Sequence, residues 1–369
     1  MRILITGGAG FIGSHLADLL LAQGDRVRVL DSLIPQVHPG SERPDYLAAD
    51  VELVRGDVRD PEAVARALNR VDTVYHLAAR VGVGQSMYEI AEYADVNTRG
   101  TAVLLEALAR NPVARLVVAS SMSIYGEGRY RTPSGETVDP PNRSRDALSR
   151  AEWELQTESG EHLEPISTPE EKLPELASVY ALSKYDQERL CLIFGNAYAV
   201  PTVALRFFNV YGPRQALSNP YTGVLAIFAA RLLNNNSPLV FEDGLQRRDF
   251  VSVHDVARAC VLALDAPGAV GRALNIGSGR SYTIREVASS LARVLGKTNA
   301  RPELTGKYRV GDIRHCFADI SAAREYLNYS PRVGLEEGLA ELGEWLRTQQ
   351  AEDRCVAAAG ELAARGLTI

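Results

Sequence analysis

Short apolar runs alternate with amphipathic helical patterns through the first two hundred residues of the chain. The runs lie at 3–5, 27–30, 51–54, 73–79, 115–119 and 201–205. Nearly continuous apolar strands that alternate with helices are typical of a parallel sheet covered on both faces. The pattern therefore predicts an α/β fold built on a doubly wound parallel sheet.

The pattern loosens after residue 205 into a smaller, mixed α/β half. We expect a first domain over 1–205, with 245–272 returning to it, and a substrate-binding domain over 206–244 and 273–350. Residues 351–369 form an alanine-rich tail, helical at most. Within the first domain, 127–177 is rich in charge, Pro, Ser and Thr and predicts a surface insertion. The sequence leaves open whether this insertion is an exposed excursion or a lid over a site.

The stretch TGGAGFIG at 6–13 follows the first strand and opens the first helix. Gly7 and Gly10 allow a tight turn near a pyrophosphate, and Gly13 allows the helix to pack against the strand. Free N–H groups at the helix start then hold the phosphates. Asp31 ends the second strand, where a carboxylate accepts from both adenosine ribose hydroxyls and repels a 2′-phosphate. The pattern predicts a Rossmann-type site for NAD rather than NADP.

Two further strand ends complete this predicted cofactor site. Asp57 can accept from the adenine amino group, with Val58 packed on the ring. The strand at 73–79 runs into small residues, where a cofactor can lie close to the backbone. We expect His76 to be a packed histidine at the strand end and not a catalyst.

Tyr180 and Lys184 are four residues apart at the start of a predicted helix, so both fall on one face. A phenol has a pKa near ~10, and an adjacent ammonium lowers it by stabilising the phenolate. Such a tyrosine can take a proton from an alcohol, and Ser121 can bond the same oxygen. Tyr and Lys at this spacing also form ordinary surface pairs. However, the chain has only four lysines and uses Arg elsewhere, which favours a specific role for Lys184.

The composition indicates which binding partners and which cellular compartment to expect. The chain is 46% hydrophobic and 23% charged, with a net charge of −6 and interspersed signs, so we expect neither a nucleic acid nor a membrane partner. No apolar run reaches the length of a membrane span, and we expect no signal peptide. Four distant cysteines without a C-x-x-C pair favour the reducing cytoplasm and predict no metal site.

Taken together, these motifs resemble the extended short-chain dehydrogenase/reductase family over residues 1–350, specifically its nucleotide-sugar epimerases and dehydratases. The motifs that carry the resemblance are TGGAGFIG at 6–13, Asp57-Val58, HLAA at 76–79, Asn97, Ser120-Ser121, Tyr180-x-x-x-Lys184, RFFNVYGP at 206–213 and Arg248-Asp249-Phe250. The resemblance implies catalysis by Tyr180, Lys184 and Ser121. It also implies a homodimer through helices at 89–110 and 180–195.

The resemblance further implies two sets of binding residues. The NAD-binding set is Gly7, Gly10, Phe11, Ile12, Gly13, Asp31, Asp57, Val58, Leu77, Ala78, Ala79, Asn97, Tyr180 and Lys184. The substrate-binding set is Arg80, Ser121, Ser123, Asn209, Arg214, Arg248 and Arg309. Guanidinium forks suit the diphosphate of a dTDP- or UDP-linked sugar.

The reaction type follows from two positions after the catalytic serine. Family 4,6-dehydratases carry Asp-Glu there and decarboxylating members use a Glu, whereas this chain has Met122 and Ser123, which do no acid/base work at neutral pH. The resemblance therefore favours an NAD-dependent 4-epimerase that works through a transient 4-keto sugar, with Tyr180 as acid and base.

Within the family, residues 215–223 and the long insertion look most like those of dTDP-L-rhamnose 4-epimerases, although the insertion lacks the paired cysteines that many of those carry. The alternatives are an NAD-dependent nucleotide-sugar dehydrogenase or reductase, a 4,6-dehydratase, and a non-catalytic regulator that senses NAD.

Overall fold

The computed structural model describes residues 1–368. The strands are β1 (Arg2–Thr6), β2 (Arg26–Asp31), β3 (Glu52–Arg55), β4 (Thr73–His76), β5 (Arg115–Ser121), β6 (Arg129–Arg131), β7 (Thr137–Val138), β8 (Glu164–Ile166), β9 (Thr202–Phe207), β10 (Asn209–Tyr211), β11 (Leu239–Val240), β12 (Arg247–Arg248), β13 (Phe250–Ser252), β14 (Ala273–Ile276), β15 (Tyr282–Thr283), β16 (Glu303–Leu304) and β17 (His315–Cys316).

The α-helices are α1 (Phe11–Ala22), α2 (Pro61–Ala67), α3 (Val83–Ser86), α4 (Ile90–Tyr93), α5 (Gly100–Arg110), α6 (Arg145–Ser149), α7 (Val179–Ala197), α8 (Val224–Leu233), α9 (Val253–Leu262), α10 (Ile284–Val294), α11 (Ser321–Leu327), α12 (Leu335–Leu346) and α13 (Cys355–Ala364). Short 3₁₀ turns lie at Pro39–Ser41, Met122–Tyr125 and Pro267–Ala269, and a π-helical stretch, Ala94–Arg99, joins α4 to α5.

Seven parallel strands form the central sheet in the order β14-β9-β5-β4-β1-β2-β3. Leu16 of α1 and Val256 of α9 belong to the core on one face, and Leu104 of α5 and Phe194 of α7 to the core on the other. The predicted doubly wound fold is therefore confirmed. The chain reverses direction across the sheet between β1 and β4, and ligands of such sheets bind at the carboxyl ends of the strands beside that point.

The second domain is built around helices α8, α10 and α12, whose Phe228, Leu291 and Leu342 share one buried cluster. Strand β14 lies at the edge of the central sheet, although the sequence-based division placed 273–350 in the substrate domain. The apolar strand Ala273–Ile276 pairs with β9, so the change of domain falls after it and not before it. The remaining domain boundaries stay predictions.

The insertion at 127–177 folds into an antiparallel sheet of β6, β7 and β8 with the short helix α6. A buried ionic cluster ties it to the second domain. Arg143 Nη2 lies 2.8 Å from Glu242, and Arg314 Nη1 lies 2.8 Å from the other oxygen of that carboxylate. Arg314 also pairs with Glu154 of the insertion. The insertion is therefore anchored by ion pairs.

The C-terminal tail forms α13 and packs on the first domain and its neighbouring loops. Glu361 accepts hydrogen bonds from the hydroxyls of Tyr221 (2.7 Å) and Tyr88 (3.1 Å). Leu362 is buried, and a Cβ on Gly84 would lie 3.2 Å from it. Among residues 1–368, no helix is both long enough and apolar enough to cross a membrane.

Candidate active site

A cavity of about 480 Å³ lies at the carboxyl ends of the central strands, where the two domains meet. Its walls come from the ends of β1 to β5 and from two segments distant in sequence, 207–225 and Phe250. The sequence-predicted residues that line it are Gly7, Gly10, Phe11, Ile12, Gly13, Asp31, Asp57, Val58, Leu77, Ala78, Ala79, Arg80, Ser121, Ser123, Tyr180, Lys184 and Asn209.

The glycine loop fits a bound pyrophosphate. Gly7 has φ +68°, and a Cβ there would lie 2.8 Å from the backbone of Ala78. A Cβ on Gly13 would lie 2.5 Å from Gly8 Cα, so α1 packs directly on the turn. No side chain caps the start of α1 in the described chain, which leaves its first amides to a ligand.

The two predicted adenosine contacts stand at neighbouring strand ends. Asp31 accepts from the backbone N–H of Ala9 (3.1 Å) and of Leu33 (2.9 Å), so its carboxylate is held against the glycine loop. Burial alone would raise the pKa of Asp57, but its hydrogen bonds with Arg59 outweigh this and lower that pKa. Both carboxylates line the cavity and are held in place by these contacts.

Tyr180, Lys184 and Ser121 line the same part of the cavity. Burial raises the pKa of Tyr180, and the hydroxyl of Ser121 acts in the opposite direction. Burial lowers the pKa of Lys184 to about 8. Ser121 Oγ accepts from the N–H and the hydroxyl of Ser123 (3.2 and 2.9 Å), which leaves its own O–H to donate to the Tyr180 oxygen.

Asn97 does not line the cavity but holds one of its walls. Its side chain accepts from Arg80 N (2.7 Å) and donates to Arg80 O (3.0 Å) and Ser183 Oγ (2.9 Å). It lies in the π-helical stretch, which divides the single helix predicted over 89–110. Local widening of this kind is frequent at functional sites, and here it carries a side chain that joins the loop after β4 to α7.

His76 is completely buried, and its pKa is lowered to about 3 by desolvation. It is therefore neutral at pH 7, as expected for a packed histidine at a strand end. Its ring bonds Thr6 and Thr101, each at 2.8 Å.

Three predicted substrate ligands lie outside the cavity lining. Arg214 pairs with Asp18 at 2.8 Å, and Arg309 with Asp312 at 2.9 Å. Arg248 donates to the main-chain carbonyls of residues 247, 313 and 314. Their roles as substrate ligands stay predictions.

The substrate side instead exposes uncharged groups. Phe207, Phe208 and Leu225 line it together with Asn209 and Gln215. Asn209 Oδ1 and Gln215 Oε1 are buried without a hydrogen-bond partner in the described chain. Unpaired buried acceptors of this kind are costly unless a ligand or water satisfies them.

A polar bridge that sequence reasoning missed links Arg80 and Asn219 of the cavity lining. Gln36, in the loop after β2, donates to Gln85 Oε1 and Asn219 Oδ1 (both 3.0 Å) and accepts from Arg80 (2.9 Å). Arg80 is also paired with Glu89 at 2.6 Å. Loop residues carry no periodic signal, so no pattern in the sequence marks Gln36. Sequence reasoning also missed Tyr221, which likewise lies in a loop. It missed Gln187 as well, although the position of Gln187 one turn after Lys184 on the same helix could have indicated that it lies near the site.

The comparisons agree with this geometry. The sequence model of the NAD dependent epimerase/dehydratase family matches residues 3–159 and 155–277. The chain is 36% identical over 349 residues to a dTDP-L-rhamnose 4-epimerase of Burkholderia thailandensis, covering 94% of each protein.

Two crystal structures are similar over 94% of this chain and 99% of theirs. UDP-glucose 4-epimerase of Thermotoga maritima with UDP-glucose has a TM-score of 0.76 and 32% identity. UDP-glucose 4-epimerase of Thermus thermophilus in complex with NAD has a TM-score of 0.74 and 33% identity. The chain belongs to the NAD dependent epimerase/dehydratase family, as its motifs predicted.

Proposed function

We propose that the protein is an NAD-dependent epimerase that inverts C4 of a nucleotide-diphosphate sugar. The observation that carries the proposal is that the glycine loop and Tyr180, Lys184 and Ser121 face one cavity. Bound NAD would supply a hydride acceptor and donor at its nicotinamide ring. The glycine loop would hold its pyrophosphate, and Asp31 its adenosine ribose.

In this proposal Tyr180 removes the proton of the sugar 4-hydroxyl and returns it after inversion. The Lys184 ammonium favours the phenolate, and the O–H of Ser121 donates to the same sugar oxygen once the sugar is bound. Met122 is buried beside Ser121 and cannot exchange a proton. This favours epimerisation over 4,6-dehydration, which also requires acid/base groups at C5 and C6.

The relatives and the cavity lining together indicate which substrate to test first. The two arginines of the cavity lining, Arg59 and Arg80, are already paired with Asp57 and Glu89, and Phe207, Phe208 and Leu225 form an apolar part of the wall. A neutral or deoxy sugar suits this wall better than a uronate. We therefore place a dTDP-linked 6-deoxy sugar such as dTDP-L-rhamnose first.

The test is to incubate the purified protein, without added cofactor, with dTDP-L-rhamnose, UDP-galactose, UDP-N-acetylglucosamine and UDP-glucuronate in separate reactions. The sugar C4 signals are followed by NMR. We expect one sugar to convert to its C4 epimer. Turnover that requires added NAD or NADH in stoichiometric amounts would overturn the epimerase and indicate a dehydrogenase or reductase.

We also propose a homodimer through α7 and the helices at 89–110. Leu182 and Ile193 lie on one face of α7 and are 46% and 57% exposed, and Ile90 of α4 is 54% exposed. Light scattering should give twice the chain mass, and Ile193→Arg should give monomers. The four cysteines are free and three are buried, which supports a location in the reducing cytoplasm. The proposed conversion of a nucleotide sugar places the protein in carbohydrate biosynthesis.

A further inference from the structure

Lys184 is held by an amide and not by a carboxylate. Its side chain is 4% exposed, and its ammonium donates to Gln187 Oε1 at 2.6 Å. The other two cations of the cavity lining are paired, Arg59 with Asp57 and Arg80 with Glu89. Lys184 has no carboxylate partner in the part of the chain that the structure describes. Its charge is therefore not neutralised by a contact.

The orientation of the Gln187 amide is fixed by its other end. Gln187 is completely buried, and its Nε2 donates to Ala78 O (3.2 Å) and Thr101 Oγ1 (2.9 Å). A main-chain carbonyl can only accept, so the nitrogen must face Ala78. The oxygen must then face Lys184.

The partners of Gln187 are fixed in turn. The Thr101 hydroxyl donates to Asn97 O at 2.5 Å, so its oxygen accepts from Gln187 Nε2. Gln187 Nε2 also lies 3.1 Å from His76 Nε2. Desolvation keeps His76 neutral at pH 7, so this ring brings no charge near Lys184.

The nearest carboxylate is occupied elsewhere. Glu188 accepts from Arg206 (2.7 and 2.9 Å) and from Ser120 (2.6 Å). The titratable and charged groups around the Tyr180–Lys184 pair are Glu188 and Cys191 on the same helix, Tyr93 of α4, His76 of β4 and Arg206 of β9. None of these groups contacts the ammonium, whose hydrogen-bond partner among residues 1–368 is Gln187.

We propose that Gln187 is a positioning residue that fixes the Lys184 ammonium beside Tyr180 while leaving its charge uncompensated. A carboxylate there would hold the ammonium equally well but cancel its field at the phenol. An apolar residue would leave the charge in a dry site without an acceptor. This inference rests on the roles proposed for Tyr180 and Lys184.

The experiment measures kcat/KM against pH for the holoenzyme, for Gln187→Met and for Gln187→Glu. If Lys184 must be charged, activity falls on the alkaline side as its proton is lost, near pH 8. Gln187→Met removes the acceptor, so the midpoint of this alkaline limb should fall by about one pH unit. Gln187→Glu adds a negative charge, so the midpoint of the limb should rise by about one pH unit.

Shifts of opposite sign separate positioning from packing, because a packing defect would lower the whole profile without moving its limbs. Gln246→Met, which removes another buried glutamine outside the cavity, is the control and should leave the limb in place. If Gln187→Met does not fold, Gln187→Asn withdraws the acceptor by one methylene and should shift the limb down. An unmoved limb in the Glu variant and in either neutral variant would overturn the proposal.

The proposed function fails on a different result. If the unmodified protein epimerises no sugar, the proposed reaction is wrong. If Tyr180→Phe retains activity, the roles of Tyr180 and Lys184 are wrong. If epimerisation is established but the alkaline limb does not shift in the Gln187 variants, only the positioning role of Gln187 is excluded.

Discussion

The cofactor side and the substrate side of the cavity hold their polar groups in different ways. On the cofactor side, Asp31 and Gly7 stand at the ends of adjacent strands and are fixed by backbone contacts. On the substrate side, the wall comes from residues 207–225, which are distant in the sequence from the first strands. Its candidate cations, Arg214 and Arg309, are bound to Asp18 and Asp312.

This difference indicates where substrate binding must change the protein. The cofactor side presents uncapped amides and oriented carboxylates without rearrangement. A sugar diphosphate, in contrast, would meet apolar rings and unpaired amide oxygens unless arginines leave their present partners. The cofactor side is therefore preorganised, and we expect the substrate side to adjust when the sugar nucleotide binds.

The largest expected effect tests the chemistry that joins the two sides. Tyr180→Phe removes only the proton-carrying oxygen, so kcat should fall by about a thousand-fold with bound NAD unchanged. NMR conversion rates and the absorbance of released NAD check the two parts. Tyr185→Phe, on the same helix but outside the cavity lining, should retain activity, and equal losses in both variants would count against a catalytic role for Tyr180.

The second prediction tests preorganisation of the cofactor side. In Gly7→Ala the new Cβ would lie 2.8 Å from the Ala78 backbone at φ +68°, so the loop must move away from the pyrophosphate. Loss of one hydrogen bond to a charged group, about 2 kcal/mol, weakens NAD binding about thirty-fold. Calorimetric titration of the apoprotein measures this.

A matched control separates strain from contact. Gly24 has φ +84° with nothing within 4 Å of an added Cβ. Gly24→Ala introduces a similar backbone strain, so it should lower the melting temperature but leave NAD affinity unchanged. If both variants weaken NAD equally, general destabilisation and not the cradle explains the result.

The sequence predicted one side of the cavity far better than the other for a physical reason. Strand ends of a parallel sheet meet at one edge, so the apolar pattern alone places Gly7, Asp31 and Asp57 together. Arg214 lies in a loop and Arg248 in the two-residue strand β12, and the positions of both are set by tertiary partners. Arg214 adopts φ +69°, which no local pattern predicts. Gln36 is likewise placed only by contacts with three other segments.

The third prediction tests whether the substrate side adjusts. If Arg248 and Arg309 leave their present partners to bind the diphosphate, replacing either by Ala should raise KM about thirty-fold, in line with the loss of one charged hydrogen bond of about 2 kcal/mol. NAD affinity should not change. Arg301→Ala, an exposed arginine in the same domain, should leave KM unchanged, and unchanged KM in all three variants would remove both residues from the substrate-binding set.

The fourth prediction concerns the bridge between the two sides. Gln36→Ala deletes the hydrogen bonds to Gln85, Asn219 and Arg80, each worth about 1 kcal/mol or less at a partly exposed site. NAD exchange, followed with labelled cofactor, should become about five-fold faster. Gln23→Ala, at an exposed glutamine, is the control and should leave the exchange rate unchanged. An unchanged exchange rate in Gln36→Ala would show that the bridge does not retain the cofactor.

The smallest effect on turnover is expected in the insertion, since none of residues 127–177 lines the cavity. Burial raises the pKa of Glu154, but hydrogen bonds from His315 and Arg314 outweigh it and lower that pKa to about 2. This carboxylate therefore adds stability that is present above its ordinary pKa of 4.5 and is lost as pH falls toward about 2. Glu154→Gln should reduce the loss in free energy of unfolding between pH 6 and pH 3, measured with urea, and leave kcat at pH 7 unchanged. Exposed Glu158→Gln should retain the full acid dependence, and a fall in kcat for Glu154→Gln alone would mean that the insertion acts on the cavity after all.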